Sequence, residues 1–164
     1  MTNDLQTYVD AVADALAAGT AVAAWAAAQT PVRVLYVLNG EAPARQGQDT
    51  IPIPTLVVMP AGFTGGQGAE SIDRNVTVEC RLREADYATP ASATGTAVVY
   101  RKFAGHRALQ SLVNAVLADI TTALDSNDAA WTPTFEVDYQ NDQWPALVAV
   151  ITLSFTTQTT MPNE

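Results

Sequence analysis

The stretch NVTVECRLR, residues 75–83, alternates without a break: Val76, Val78, Cys80 and Leu82 fall on one face of an extended chain, and Thr77, Glu79, Arg81 and Arg83 on the other. A strand of this kind buries one face and keeps the other wet, as antiparallel sheets do. Upstream, IPTLVVMP (53–60) and VRVLYVLN (32–39) are rich in β-branched and apolar residues and read as two further strands joined by a Gly/Pro/Gln-rich connection. The prolines at 52, 54 and 60 donate nothing to a ladder, so the strand over 53–60 is expected to be short and near a sheet edge. Downstream, TFEVDYQ (134–140), the turn NDQWP and ALVAVITLSFTTQT (146–159) read as a closing hairpin. In its second arm Leu147, Ala149, Ile151, Leu153 and Phe155 share one face. The opposite face is apolar at Ala146, Val148 and Val150 and polar at Thr152 and Ser154, so part of it is expected to be covered.

Two regions change period from two to about 3.6. Leu5, Tyr8, Val9, Val12 and Leu16 predict an amphipathic N-terminal helix, interrupted at Gly19-Thr20, where Thr20 is placed to cap a second short helix carrying Val22 and Trp25. Leu109, Leu112, Val113, Val116, Leu117, Ile120 and Leu124 predict a long helix. Val98, Tyr100 and Phe103 do not continue that stripe, so either Gly105 breaks its phase or a short separate element precedes it. Residues 84–97 are small and polar and read as a loop. The expected fold is α+β: a mainly antiparallel sheet with the N-terminal helix and the long C-terminal-half helix packed on one face, over a single domain spanning 1–164.

Composition narrows the function. With 48% apolar and 15% charged residues the chain is expected to fold around a real core. The apolar run 11–28 is mostly alanine, contains Asp14 and is broken by Gly19, so no membrane span is expected. The residues before it lack the basic charge of a signal peptide, which predicts a cytoplasmic protein. Net charge is −9 and Lys102 is the only lysine, which disfavours binding to nucleic-acid phosphates. A single cysteine excludes an internal disulfide and a thiolate metal cluster.

The residue types that carry chemistry do not assemble into a site. PAGFTGGQGAE (60–70) holds Gly62, Gly65, Gly66 and Gly68, but neither at phosphate-loop nor at dinucleotide spacing, and no lysine follows. It leads into a strand, and Glu70 and Asp73 would repel an anion. It reads as a flexible arm between strands, with Phe63 either a core plug or an anchor for a partner. His106 is the only histidine and lies with Arg101, Lys102 and Arg107 in the one basic cluster, read as a solvated helix start ahead of an anion or acidic-partner contact. Cys80, on the apolar face of its strand, reads as a small buried hydrophobe. Glu84 with Asp86 and Glu136 with Asp138 are two residues apart and read as solvated faces. Trp131 and Trp144 read as structural, with contact to a neighbouring subunit as the alternative. No catalytic residue, cofactor or metal ligand is assigned; Phe63, Gly65, Gly66, Gln67, Arg101, Lys102 and Trp144 are the candidate interface residues.

The order of elements is itself informative. An N-terminal amphipathic helix, a strand pair ending in PTLVVMPAG, a glycine-rich loop, the strand VTVECRLR, the long helix ALQSLVNAVLADITTAL and a hairpin with QWPALVAVITLSF together resemble the tail terminator, or tail completion, proteins of long-tailed bacteriophages. The resemblance covers most of the chain and rests on pattern and size. It implies a non-enzymatic structural protomer of the virion, made in the host cytoplasm, that forms a ring, commonly a hexamer, on the tail tube protein at the neck end of the tail. Such a ring ends tube polymerisation, joins the head connector and lets DNA pass through its lumen without specific binding. The segment around Phe63 is the expected contact with the tube, ordered by a neighbouring protein. A head-closure or connector-neck protein is the alternative, and a small-ligand module or enzyme using the basic cluster and the glycine loop is the third reading.

Overall fold

A computed structural model describes residues 5–29, 34–39, 54–65, 71–83, 92–94, 97–99, 104–125, 132–140 and 146–158. In chain order the elements are α1 (Leu5–Ala17), α2 (Thr20–Ala27), β1 (Tyr36–Asn39), β2 (Thr55–Thr64), β3 (Ser71–Arg83), β4 (Ser92–Thr94), β5 (Ala97–Val99), α3 (Ala104–Asp125), β6 (Thr134–Gln140) and β7 (Ala146–Gln158). Five strands form one sheet in the order β1-β2-β3-β7-β6, and β4 and β5 pair as a separate small hairpin. The fold is α+β, as the change of hydrophobic period along the chain predicts.

The alternating stretch that opens the sequence becomes the middle of the sheet. β3 pairs antiparallel with β2 on one side and with β7 on the other, so Val78 sits between Val58 and Ile151 and Cys80 between Leu56 and Ala149. These side chains share one face. Against it pack Tyr8, Val9, Val12 and Leu16 of α1, Val22 and Trp25 of α2, and the Leu109, Leu112, Val113, Val116, Ile120 and Leu124 stripe of α3, in one core cluster. Tyr8 lies tilted against Phe155 with ring centroids 4.8 Å apart, and the Arg74 guanidinium sits 5.7 Å from the centre of the Tyr8 ring, so the far end of the core is closed by aromatic and cation–π contacts. On the second face of the sheet Val148 is buried, together with Thr55 and Val57, whereas Thr152 and Ser154 are half-buried. Ala146 and Val150 are half-buried as well, so the face is covered in part, around Val148, and the cover does not follow the change from apolar to polar residues.

Four features depart from the expectations. First, β1 joins β2 in parallel, Tyr36 beside Thr55 and Val37 beside Leu56, which the long connection between Asn39 and Thr55 permits, since a parallel pair needs a crossover and not a tight turn. Secondly, β2 is ten residues long and second from the edge, not a short edge strand. β1 covers only Thr55–Val58, so Pro60 lies beyond the last β1 pair and faces Val76 of β3 at the edge of a bulge, a place where a sheet tolerates proline. Thirdly, residues 92–99, read partly as loop, contain the β4–β5 hairpin, which is also the separate element ahead of α3. Small polar residues carry no period, so nothing in the pattern reveals this pairing.

The fourth concerns the break between α1 and α2, which are bent by 46°. Gly19 is the N-cap residue of α2, and no side chain from Thr20 caps the helix. Asp119 of α3 does so from 98 residues away: its Oδ1 accepts from the Ala21 N–H at 3.0 Å and its Oδ2 from the Val22 N–H at 2.8 Å. These are two of the orphan donors that every helix start leaves, and a carboxylate is the acceptor the helix dipole favours there. Asp119 is only 7% exposed, and the approach is so close that a Cβ on Gly19 would lie 2.1 Å from Oδ2. Among the described residues no single helix is long and apolar enough to cross a membrane; the bent pair α1 and α2 meets that test by length and composition, but places Tyr8, Val12, Leu16, Val22 and Trp25 in the core.

Asp119→Ala should therefore cost about 1–3 kcal/mol in denaturant unfolding, because one buried and one part-buried N–H group lose their acceptor. Gly19→Ala should cost a similar amount, about 1–3 kcal/mol, by driving the carboxylate away. The double variant should be no less stable than Asp119→Ala alone, since the clash disappears with the carboxylate; additive losses would show that Gly19 acts independently of Asp119.

Candidate assembly surface

The glycine-rich segment is not slack along its whole length. β2 runs on to Thr64 and β3 begins at Ser71, so the two strands form a hairpin whose outer pairs are Gly62 with Asn75, Phe63 with Arg74 and Thr64 with Asp73. The register shifts by one between Pro60 and Gly62, a bulge made possible by Gly62 at φ +102°, where a side chain would be strained. The shift has a geometric result. Without it Phe63 would follow Thr55, Val57 and Met59 on the second face of the sheet; with it Phe63 joins Arg74 and Phe155 on the helix-bearing face. There it is 70% exposed. Phe63 is thus no core plug: it is an aromatic held in a paired strand and presented to solvent.

Arg74 beside it is fixed from two directions, donating through Nη1 to Thr157 Oγ1 and lying over Tyr8. On the reverse face the hairpin is held by hydroxyl contacts, Thr156 Oγ1 to Asp73 at 2.7 Å and Ser154 Oγ to Asn75 Oδ1 at 2.8 Å. Gly65, at φ +140°, ends the described part of the arm. Of the other candidate interface residues, Gly66, Gln67, Arg101, Lys102 and Trp144 lie outside the described residues, as do Glu84, Asp86 and Trp131.

The large exposed apolar side chains among the described residues are Val34, Tyr36, Phe63, Phe135 and Tyr139. All five stand on the perimeter of the one sheet: two at the β1 edge, one at the β2–β3 hairpin end and two on the β6 edge. Phe135 pairs with Leu153 and Tyr139 with Ala149, so their rings are on the helix-bearing face, where the alternation of TFEVDYQ would place core residues. They remain exposed because α3 packs on β3 and β7 and stops short of β6. Sequence periodicity assigns a face but not the width of the layer that covers it, which is why Phe135 and Tyr139 do not stand out in the sequence.

The remaining candidates are dispersed. Glu136 and Asp138 are exposed on the second face of β6, a wet strand face as expected. His106 is half-buried and Arg107 exposed in the first turn of α3. Among the described residues no group of three His, Cys, Asp or Glu side chains could hold a metal ion. Cys80 is fully buried in the core cluster, and burial, with a smaller contribution from the charge of Glu79, pushes its thiol far above the ordinary value of 9.0. Burial also raises the Tyr139 hydroxyl, with Cys80 as the lesser cause. Comparison with family models and with curated proteins finds no match.

The Cys80 thiol gives a pH signature. The folded chain keeps this proton to higher pH than the unfolded chain, so above about pH 9 only the unfolded state releases it and stability falls as pH rises. Unfolding midpoints measured between pH 8 and pH 10.5 should fall along a slope that is shallower, by at most about 1.4 kcal/mol per pH unit, in Cys80→Ala. Equal slopes would mean the thiol is not sealed from water.

Proposed function

We propose that the chain is a structural assembly protein that forms a ring at the head-proximal end of a phage tail tube, ends tube growth and offers its other side to the head connector. The observation that carries this reading is the placement of the large exposed apolar residues. Singly exposed apolar side chains are ordinary, but here they sit at the two edges and the hairpin end of one sheet, where strands and rings meet partners. Phe63 supports it in detail: a bulge with a positive-φ glycine turns this ring to the helix-bearing side, and two packed partners hold the arginine beside it. Such an aromatic is preorganised for docking and loses little conformational freedom on binding. The order of elements supports the tail-end role, and the net charge of −9 suits a lumen through which DNA slides.

In a phage that encodes this chain, loss of the gene should give tubes of unbounded length that fail to join heads. Tails of normal length that are merely unattached would point instead to a connector-neck protein, and normal virions would overturn both readings. Phe63→Ser should leave the melting temperature of the isolated chain unchanged within about 2 °C, because the ring is exposed, while lowering the yield of joined particles at least tenfold in complementation.

A further inference from the structure

We infer that copies of this chain associate head to tail through the two opposite edges of the five-stranded sheet, the exposed rings of β6 on one copy entering an apolar groove beside β1 on the next. The groove, of about 520 Å³, lies between α2 and β1 and is lined by Leu16, Val22, Ala23, Ala26, Leu35 and Val37 among others. That volume is in the range of pockets that take a ring-bearing ligand, about 300–1,000 Å³. Val37 is level with Leu56, which places the groove on the helix-bearing side of the sheet. The outward surface of α2 next to it is made of Ala23, Ala24, Ala27 and Ala28, all exposed, and no charged side chain occurs in Thr20–Ala27. A helix without a polar face is one that packs against something on every side.

The occupant that fits is supplied by the chain itself. At the other end of the same sheet Phe135, Val137 and Tyr139 lie on the helix-bearing side, and Phe135 is 56% and Tyr139 38% exposed. Strand directions agree with this pairing. β1 runs parallel to β2, β2 antiparallel to β3, β3 antiparallel to β7 and β7 antiparallel to β6, so β1 and β6 run in opposite directions. A second copy set beside the first in the same orientation brings β6 against β1 as an antiparallel pair, with the helix-bearing faces on the same side and the β6 rings over Leu35 and Val37. β6 is a suitable edge, for it is seven residues long and contains neither a proline nor a bulge.

Charge decides against the symmetric alternative. Two β6 edges pairing with each other would bring Glu136 and Asp138 of both copies onto one face, whereas Val34–Asn39 contributes no charged side chain. A β6-to-β1 contact leaves a free groove and a free edge at its two ends, so it propagates and closes into a ring where the rotation between copies allows. This rests on the assembly reading and deepens it by naming the two surfaces through which copies meet. It is tested on the purified chain, so its failure leaves the virion test untouched.

Sedimentation velocity over a concentration series should show oligomers that grow with concentration. Phe135→Glu, which spoils the edge, and Ala23→Trp, which fills the groove, should each weaken association at least about tenfold. Mixed one to one, they should form a species of two chains and no larger, because only the intact groove of the first and the intact edge of the second can meet. Melting curves check that both fold, and Ala27→Lys replaces Ala23→Trp if the latter does not. A parent chain that stays monomeric, variants that sediment like the parent, or a mixture that does not pair overturns the inference; so does a monomer whose groove takes up a small apolar dye.

Discussion

The carboxylate of Asp119 is the constraint around which the helical layer is arranged. It links α3 to α2 by two hydrogen bonds to consecutive N–H groups at the start of a helix only eight residues long. A helix of that length has almost no stability of its own in water. Its position is therefore set from outside, by burial of Val22 and Trp25 and by the fixed point that Asp119 supplies. The bend at Gly19 follows, because only a residue without a Cβ lets the carboxylate come so near. The site lies where α1 passes into α2, so displacing it would also shift the wall of the groove that faces β1.

The sheet obeys a second constraint, the width of that layer. α1 covers β1, β2 and β3, and α3 covers β3 and β7, which leaves β6 outside. Val137 reaches the core edge, but Phe135 and Tyr139 on either side of it do not. At the far end of β2 and β3 Arg74 reaches back over Tyr8 of α1, and the bulge at Pro60–Gly62 decides which way Phe63 beside it faces. Exposure of apolar side chains in this protein is thus the geometric remainder of a helical layer narrower than the sheet beneath it.

Much of this was legible in the sequence, and what was not has physical causes. The faces of β3 and β7, the stripe of α3 and the break at Gly19 were readable because burial imposes a period of two or of 3.6 residues on the chain itself. The cap on α2 was not: Thr20 is the local candidate, and nothing nearby announces that a residue 98 positions later would take its place. The β2 extension was hidden by Pro60 and the glycines, which signal a turn locally but here make a bulge. Phe63 could be singled out as an aromatic among glycines, whereas Phe135 and Tyr139 could not, since their alternation is the same as that of buried residues.

The parallel pairing of β1 is the least legible feature and the one with the longest reach. The order of strands along the sequence invites a hairpin between β1 and β2. In that arrangement β1 would run in the same direction as β6, and copies laid side by side would meet in parallel, with slanted and slightly weaker hydrogen bonds. The parallel pairing reverses β1, so the two edge strands of the sheet run in opposite directions, as the inferred contact between copies would need for an antiparallel pair. Its register, with Val37 beside Leu56, turns Leu35 and Val37 toward the helices, where they line the groove. Strand direction therefore sets the hydrogen-bonding polarity of this edge, and register sets its apolar floor, on the side where the rings of β6 also lie.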